Sequence, residues 1–368
     1  MISSQVLFLR IALTIVICLG GFLLPNSKIY FIIQSLWLII LSSFNLYSAD
    51  WAGNEQLYYL TSWTGNETAL NFLYDAIVQF GKNLNWNFVI FNGFFAFVAT
   101  FLILITILKQ SKYPSLVLSF WYIFPFLDNI IQKRAYYALG IIIVTLPLLF
   151  SKNHKWAKLV FFELIILLSL QIHSFAIYYF TLPFFLLLDI SWQKRIAIFF
   201  VVFGLVFKNI LQMITSFIFG NQDKLNAKAS LYFDTLAQNG SLLHTLFWLF
   251  WQILLLSIII YIYKRDIKNQ KLKVILSMNW WGLTLIPLYS FDPVFTRVFR
   301  AVLLFNYIEI ANFLSKSREE KKWSDKLIVL IAQLGFLFIS FYFFDFNSRL
   351  GIQEMIYSIF ENNWLLNI

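Results

Sequence analysis

The sequence predicts an all-α, polytopic integral membrane protein with about 10–12 transmembrane helices, the number its recurrent apolar runs allow. Composition is the first ground. Of 368 residues, 60% are hydrophobic, 20% aromatic and only 12% charged, and the mean hydropathy is +0.74. A soluble core cannot absorb that much apolar surface. The second ground is pattern: runs such as "FFAFVATFLILITIL" and "LVFFELIILLSL" recur. Runs approaching ~20 residues suit spanning helices, because lipid leaves unpaired backbone groups without partners. The third is the confinement of basic residues to short segments between those runs.

Spans are expected at 6–24, 29–46, 86–108, 114–127, 135–150, 159–172, 175–190, 196–219, 245–263, 274–289, 299–315 and 327–344. Several fall short of ~17 residues, the lower limit for a comfortable span. The pairs around 128–134 and 173–174 are therefore expected to be re-entrant or broken helices. The chain reads as one polytopic domain, 1–368, with outer loops near 47–85 and 221–244. The first run carries Arg10 and lacks a basic region before it, so it reads as a retained helix rather than a cleaved signal.

Charge gives the sides. "KQSK", "SKNHKWAK", "SWQKR", "KRDIKNQKLK" and "KSREEKKWSDK", with Lys28, hold 18 of the 28 basic residues, all on one side. That side is cytoplasmic by the positive-inside bias, and both chain ends then fall outside. The net charge of +10 is thereby explained by topology, and no nucleic-acid partner is expected. Lys133, Arg134, Arg297, Arg300 and Arg349 lie on the outer side against that bias. An ionisable group at membrane depth is a functional-site hypothesis; the alternative is a snorkelling anchor on lipid phosphate.

Most chemical motifs are absent. There is no Gly-rich phosphate loop, "HExxH", "GxSxG" or "DxD". The short basic loops leave no room for a nucleotide-binding domain, and no cofactor or metal site is expected. The single cysteine, Cys18, excludes an internal disulfide and reads as a small apolar filler. What remains faces outward. "SFDPVFTRVFRAVLLF" sets Arg297 and Arg300 three apart, one face if the helix has begun, with Asp292 before Pro293. Two guanidinium forks near a helix start suit a diphosphate; a salt bridge to Asp292 is the plainer alternative. His173 in "LSLQIHSFAIYY" is a candidate base or donor, or a structural residue. His154 and His244 make no comparable case. Asp50, Trp51, Tyr58, Tyr59, Trp63 and Asn66 compose a sugar-binding surface or an interfacial aromatic belt. Adjacent helical residues point about 100° apart, so Lys133 and Arg134 cannot both face one small site. Lys133 is expected to be the lesser of the two.

The order of these features resembles a family. Asp50 followed by "LYY", then "IIQKRAYYALGIII", "LLSLQIHSFAIYYF" and "FTRVFRAVLLF", is similar to the EpsG-like family of bacterial exopolysaccharide polymerases, akin to Wzy-type proteins. The family's arginine segment reads "RQxLA", whereas here Arg134 is followed by "AYYAL". Its histidine segment reads "HxSA", and this chain has His173-Ser174-Phe175-Ala176. The resemblance implies a fold akin to membrane glycosyltransferases that use lipid-phosphate donors. It implies polymerisation of undecaprenyl-diphosphate-linked oligosaccharide repeat units into exopolysaccharide or capsule, at the outer face of the cytoplasmic membrane. It further implies metal-independent glycosyl transfer in which Arg134, Arg297, Arg300, Lys133 and Arg349 bind the diphosphate. Trp51, Tyr58 and Tyr59 then bind sugar, and His173, Asp50 or Asp292 deprotonates the acceptor. Membrane lipid, a chain-length regulator and a flippase would be partners. A lipid-linked oligosaccharide flippase, or another membrane glycosyl- or acyltransferase, is the alternative.

Overall fold

A computed structural model describes residues 3–61, 72–150, 155–206, 242–289, 293–316, 322–348 and 350–367. Among these residues every multi-residue element is helical, and the β-structure is one isolated bridge, Asn45 to Asn363. Polar caps mark where several apolar runs begin. α1 (Ser4–Leu23) starts after Ser3, whose hydroxyl accepts the Val6 N–H at 3.4 Å. α2 (Lys28–Ser43) starts after Ser27, which accepts the Tyr30 N–H at 3.1 Å. α3 (Trp51–Leu60) and α4 (Phe72–Asn83) occupy the described part of the first expected outer loop. α5 (Phe88–Gln110) is capped by Asn87, which accepts the Ile90 N–H at 3.0 Å.

Next come α6 (Pro114–Ile123), α7 (Phe126–Ile131) and α8 (Lys133–Thr145), the last extended by a 3₁₀ turn over Leu146–Phe150. Pro125 offers no N–H and Gln132 departs from helical backbone angles, so the helix is broken twice where a break was expected. α9 (Lys155–Leu170) ends in a turn at 171–173, and a 3₁₀ segment (Ser174–Phe180) leads into α10 (Thr181–Leu187). α11 (Ile190–Val206), α12 (Leu242–Arg265), α13 (Gln270–Leu283) and the short α14 (Ile286–Tyr289) follow. A 3₁₀ segment (Pro293–Phe299) precedes α15 (Arg300–Leu314); α16 (Trp323–Ser340) and α17 (Ser358–Glu361) complete the described α-helices.

Each expected span overlaps a helix. Among the described residues five are long and apolar enough to cross a membrane: Ser4–Leu23, Phe88–Gln110, Lys133–Phe150, Thr245–Arg265 and Trp323–Phe346. The others are shorter or interrupted. The protein is an all-α polytopic membrane protein. Its described residues divide into two compact units, Met1–Ile177 with Leu304–Ile368, and Tyr178–Leu303.

In the first unit α5 packs on α8 and α2, and α6 packs on α1 and α2. Lipid supplies no hydrophobic drive between helices, so close approach and polar bonds hold them. A Cβ added to Gly140 of α8 would lie 2.8 Å from the Ala99 Cα of α5, so the two backbones touch there. Thr100 of α5 bonds Ser42 of α2 at 3.1 Å and Tyr136 of α8 at 2.8 Å. Tyr137 donates to Asn92 at 2.6 Å. Cys18 is buried and free, its thiol directed at the Ser119 carbonyl at 3.4 Å. In the second unit Trp281 donates to Thr181 at 2.8 Å, Tyr179 donates to the Val298 carbonyl, and the Trp251 ring meets Phe299 at 6.0 Å.

Candidate functional site

The first unit has two polar ends. At one, Ser115 donates to the Ser27 carbonyl at 2.8 Å and Tyr113 to the Ser315 carbonyl at 3.0 Å. These bonds gather the segments that carry Lys28, Lys112 and Lys316, the basic side of the sequence. A cavity of ≈ 470 Å³ lies here, lined by Phe22, Leu116, Leu314, Trp323, Lys326 and Leu330 among others. Arg10 lies twelve residues before Phe22 on α1, about 18 Å at 1.5 Å per residue, and belongs to the opposite end. That second end holds the candidate residues.

There the paired basic residues at the start of α8 diverge, as their helical offset requires. Arg134, half-buried, lays its guanidinium on the Tyr74 ring of α4, 4.2 Å from the ring centroid. Its Nη2 donates to the Ile172 carbonyl at 3.1 Å, immediately before His173. The same turn is gripped from α4: the Tyr74 N–H donates to the Gln171 carbonyl at 3.2 Å, and the Phe72 N–H to Gln171 Oε1 at 3.1 Å. Two segments that the sequence separates widely, "QKRAYY" and "LQIHSF", are thus joined through α4. His173 is half-buried. Its Nδ1 accepts the Phe175 N–H at 3.2 Å, which in the neutral ring leaves the proton on Nε2. His173 therefore presents a donor.

Lys133 turns the other way and is only 1% exposed. Its ammonium donates to Asn45 Oδ1 at 3.0 Å and lies 5.5 Å from the centroid of the Trp51 ring. The Asp50 carboxylate is close enough to act on it electrostatically. A buried ammonium needs such company, since an isolated charge out of water is costly. The sequence predicts the divergence of Lys133 from Arg134 but not the partners that surround it. Asp50 itself is exposed at the start of α3.

The aromatic set divides. Trp51 and Tyr58 are buried, with Trp51 on Phe88 at 4.8 Å and Tyr58 on Phe91 at 4.9 Å. Those rings pack α3 onto α5, which leaves Tyr59, 56% exposed, as the one of the three with open surface. Lys82 closes the end of α3. It donates to the carbonyls of Thr61 at 2.7 Å and Tyr59 at 3.1 Å. Asn45, Tyr74 and Gln171 were missed; an asparagine, a tyrosine and a glutamine in polar–aromatic stretches carry no spacing signal.

Arg297 and Arg300 belong to the second unit. A 3₁₀ turn, not yet an α-helix, joins them, and residues three apart eclipse in that geometry. Arg300 is 3% exposed. Arg297 is half-buried, and its charge acts on the Tyr178 hydroxyl. Asp292, Arg349, Trp63, Asn66 and His154 lie outside the described residues, as do 221–241 of the second expected loop; the His244 side chain is likewise not described.

A model of the EpsG family matches residues 28–358, which takes in α2 to α16. The chain belongs to the EpsG family. The EpsG match extends from α2 to the start of α17, across both units, so the histidine turn and both arginine sites fall within its bounds. No curated protein and no solved structure matches the chain. EpsG membership and the five helices, among the described residues, that are long and apolar enough to span describe a membrane protein related to exopolysaccharide polymerases.

Proposed function

We propose that this protein polymerises undecaprenyl-diphosphate-linked oligosaccharide repeat units into exopolysaccharide at the outer face of the cytoplasmic membrane. The observation that carries the reading is the 3.1 Å bond from Arg134 to the carbonyl before His173, within a chain of the EpsG family. It assembles a fixed cation, a histidine donor and an aromatic ring at the end of the first unit away from its basic segments. In the transfer, the acceptor hydroxyl forms a bond to the donor's anomeric carbon while the bond to the lipid diphosphate breaks. Arg134 meets negative charge that grows on the leaving diphosphate. His173 donates Nε2–H to an oxygen of the donor, and exposed Asp50 takes the acceptor's proton. Arg297 and Arg300 are a second cation pair for lipid-linked phosphate.

The bond energy resides in the lipid diphosphate, so fixed cations serve in place of a metal. The test uses purified protein in liposomes with a single lipid-linked repeat unit. Polymer forms in excess chelator, and Arg134→Ala at matched abundance slows it on the order of a hundredfold, the effect of losing one preorganised donor. Arg134→Lys rescues poorly, because an ammonium keeps the charge but not the fork. Near-normal polymer from Arg134→Ala returns that arginine to a lipid-anchoring role. In a deletion strain, single repeat units accumulate on the outer leaflet; accumulation on the inner leaflet indicates a flippase.

A further inference from the structure

The Lys133 ammonium is held by a residue that is itself held from far along the chain. Asn45 follows α2 and is 1% exposed. Backbone bonds bracket it: the Leu46 N–H donates to the Asn362 carbonyl at 2.8 Å, and the Trp364 N–H to the Phe44 carbonyl at 2.8 Å. The Asn363 side chain donates to the Ile40 carbonyl at 2.8 Å, and the Trp364 ring stacks on Phe44 at 5.8 Å. The segment that supplies these bonds is anchored in turn by Arg10 of α1. Its Nη1 donates to the Phe360 carbonyl at 2.6 Å and to Asn367 Oδ1 at 3.0 Å, and its Nη2 donates to the Leu366 carbonyl. A guanidinium inside an apolar helix is costly unless its donors are used, and here they fasten 360–367 onto α1.

Asn45 is thereby fixed in rotation as well as position. Its Nδ2 donates to the Tyr47 carbonyl at 2.8 Å, which leaves Oδ1 facing Lys133. We propose that Asn45 is a positioning residue for Lys133, and that the segment 358–367, locked by Arg10, sets the pair in place behind Asp50 and Trp51. The inference rests on the polymerase reading for its functional consequence, because Asp50 is the base there; the positioning itself does not depend on that reading. A misplaced ammonium changes the charge beside Asp50 without touching the substrate, so turnover falls more than affinity.

Reductive methylation of the purified, folded protein with formaldehyde and cyanoborohydride, read by mass spectrometry at each lysine, tests the positioning without an activity assay. In the unaltered chain Lys133 is protected. Asn45→Leu, Asn363→Ala and Arg10→Gln each raise its methylation about tenfold or more, the effect expected from loosening one bond to a charged group. Asn45→Asp keeps an acceptor for the ammonium and restores protection. Lys82, tied to α3 carbonyls elsewhere in the unit, serves as the internal reference and stays unchanged. Lys133 as protected in the three variants as in the parent overturns the proposal, and so does a parallel rise at Lys82, which reports general loosening. In the polymerisation assay the same variants lower kcat with KM nearly constant. Altered methylation with no polymerase activity even in the parent chain rejects the functional reading and leaves the positioning intact.

Discussion

At the scale of single residues, the direction of one hydrogen bond decides what a histidine can do. With Nδ1 accepting the Phe175 N–H at 3.2 Å, the neutral His173 ring carries its proton on Nε2, which is why the proposed mechanism uses it as a donor. His173→Gln keeps an N–H donor on a planar amide, whereas His173→Ala removes it. Polymerisation rates at matched abundance are expected to fall about tenfold further in the alanine variant than in the glutamine one, the worth of a hydrogen bond to a charged oxygen. Equal and near-complete loss in both variants identifies the imidazole as the base instead. The identities of Arg134 and His173 were legible because a cation and an imidazole stand out in an apolar chain. What Lys133 touches was not legible, for a physical reason. The helical offset shows that neighbours diverge, but not that the diverging one meets Asn45, Trp51 and Asp50.

Elements in this protein meet through small residues and shared polar groups. α5 and α8 touch at Gly140 and Ala99, and the bonds from Thr100 to Tyr136 and from Tyr137 to Asn92 depend on that approach. Gly140→Val adds carbon where the nearest atom is backbone, 2.8 Å from the first carbon added, so a helix must shift. Overpacking of this kind costs about 1–3 kcal/mol. The expected result is a lower midpoint in thermal unfolding of the detergent-solubilised protein and a reduced folded yield, with Gly140→Ala intermediate. An unchanged midpoint contradicts the contact. Helix positions followed from the apolar runs, and the break near 128–134 followed from their shortness. The pairing of α5 with α8 did not, since one glycine among the chain's 13 carries no label of its partner.

For the molecule as a whole, sidedness is the property to measure. Within the first unit, hydrogen bonds collect the ends of α2, α6 and α15 near Lys28, Lys112 and Lys316, with Asn45, Lys133 and the 171–173 turn at the other end. With Cys18→Ser as background, Gln56→Cys on the exposed face of α3 is expected to react with an impermeant thiol reagent in intact cells. Lys268→Cys, exposed between α12 and α13, should react only after the membrane is opened. Labelling of Lys268→Cys in intact cells inverts the assignment.

The sequence alone determined that the chain is helical and membrane-embedded, because continuous apolar runs of this length satisfy their backbone N–H and C=O groups in hydrocarbon by coiling into helices. It also determined the basic side, because lysine and arginine counts need no coordinates. Only the tertiary structure decided which residues share a site. Arg134 finds its ring on α4 and its carbonyl 38 residues onward. Lys133 depends on an asparagine 88 residues back, whose backbone neighbours bond to residues more than 300 positions away. Contacts at such separations leave no periodicity in the chain; they exist only once helices have packed and brought their ends together.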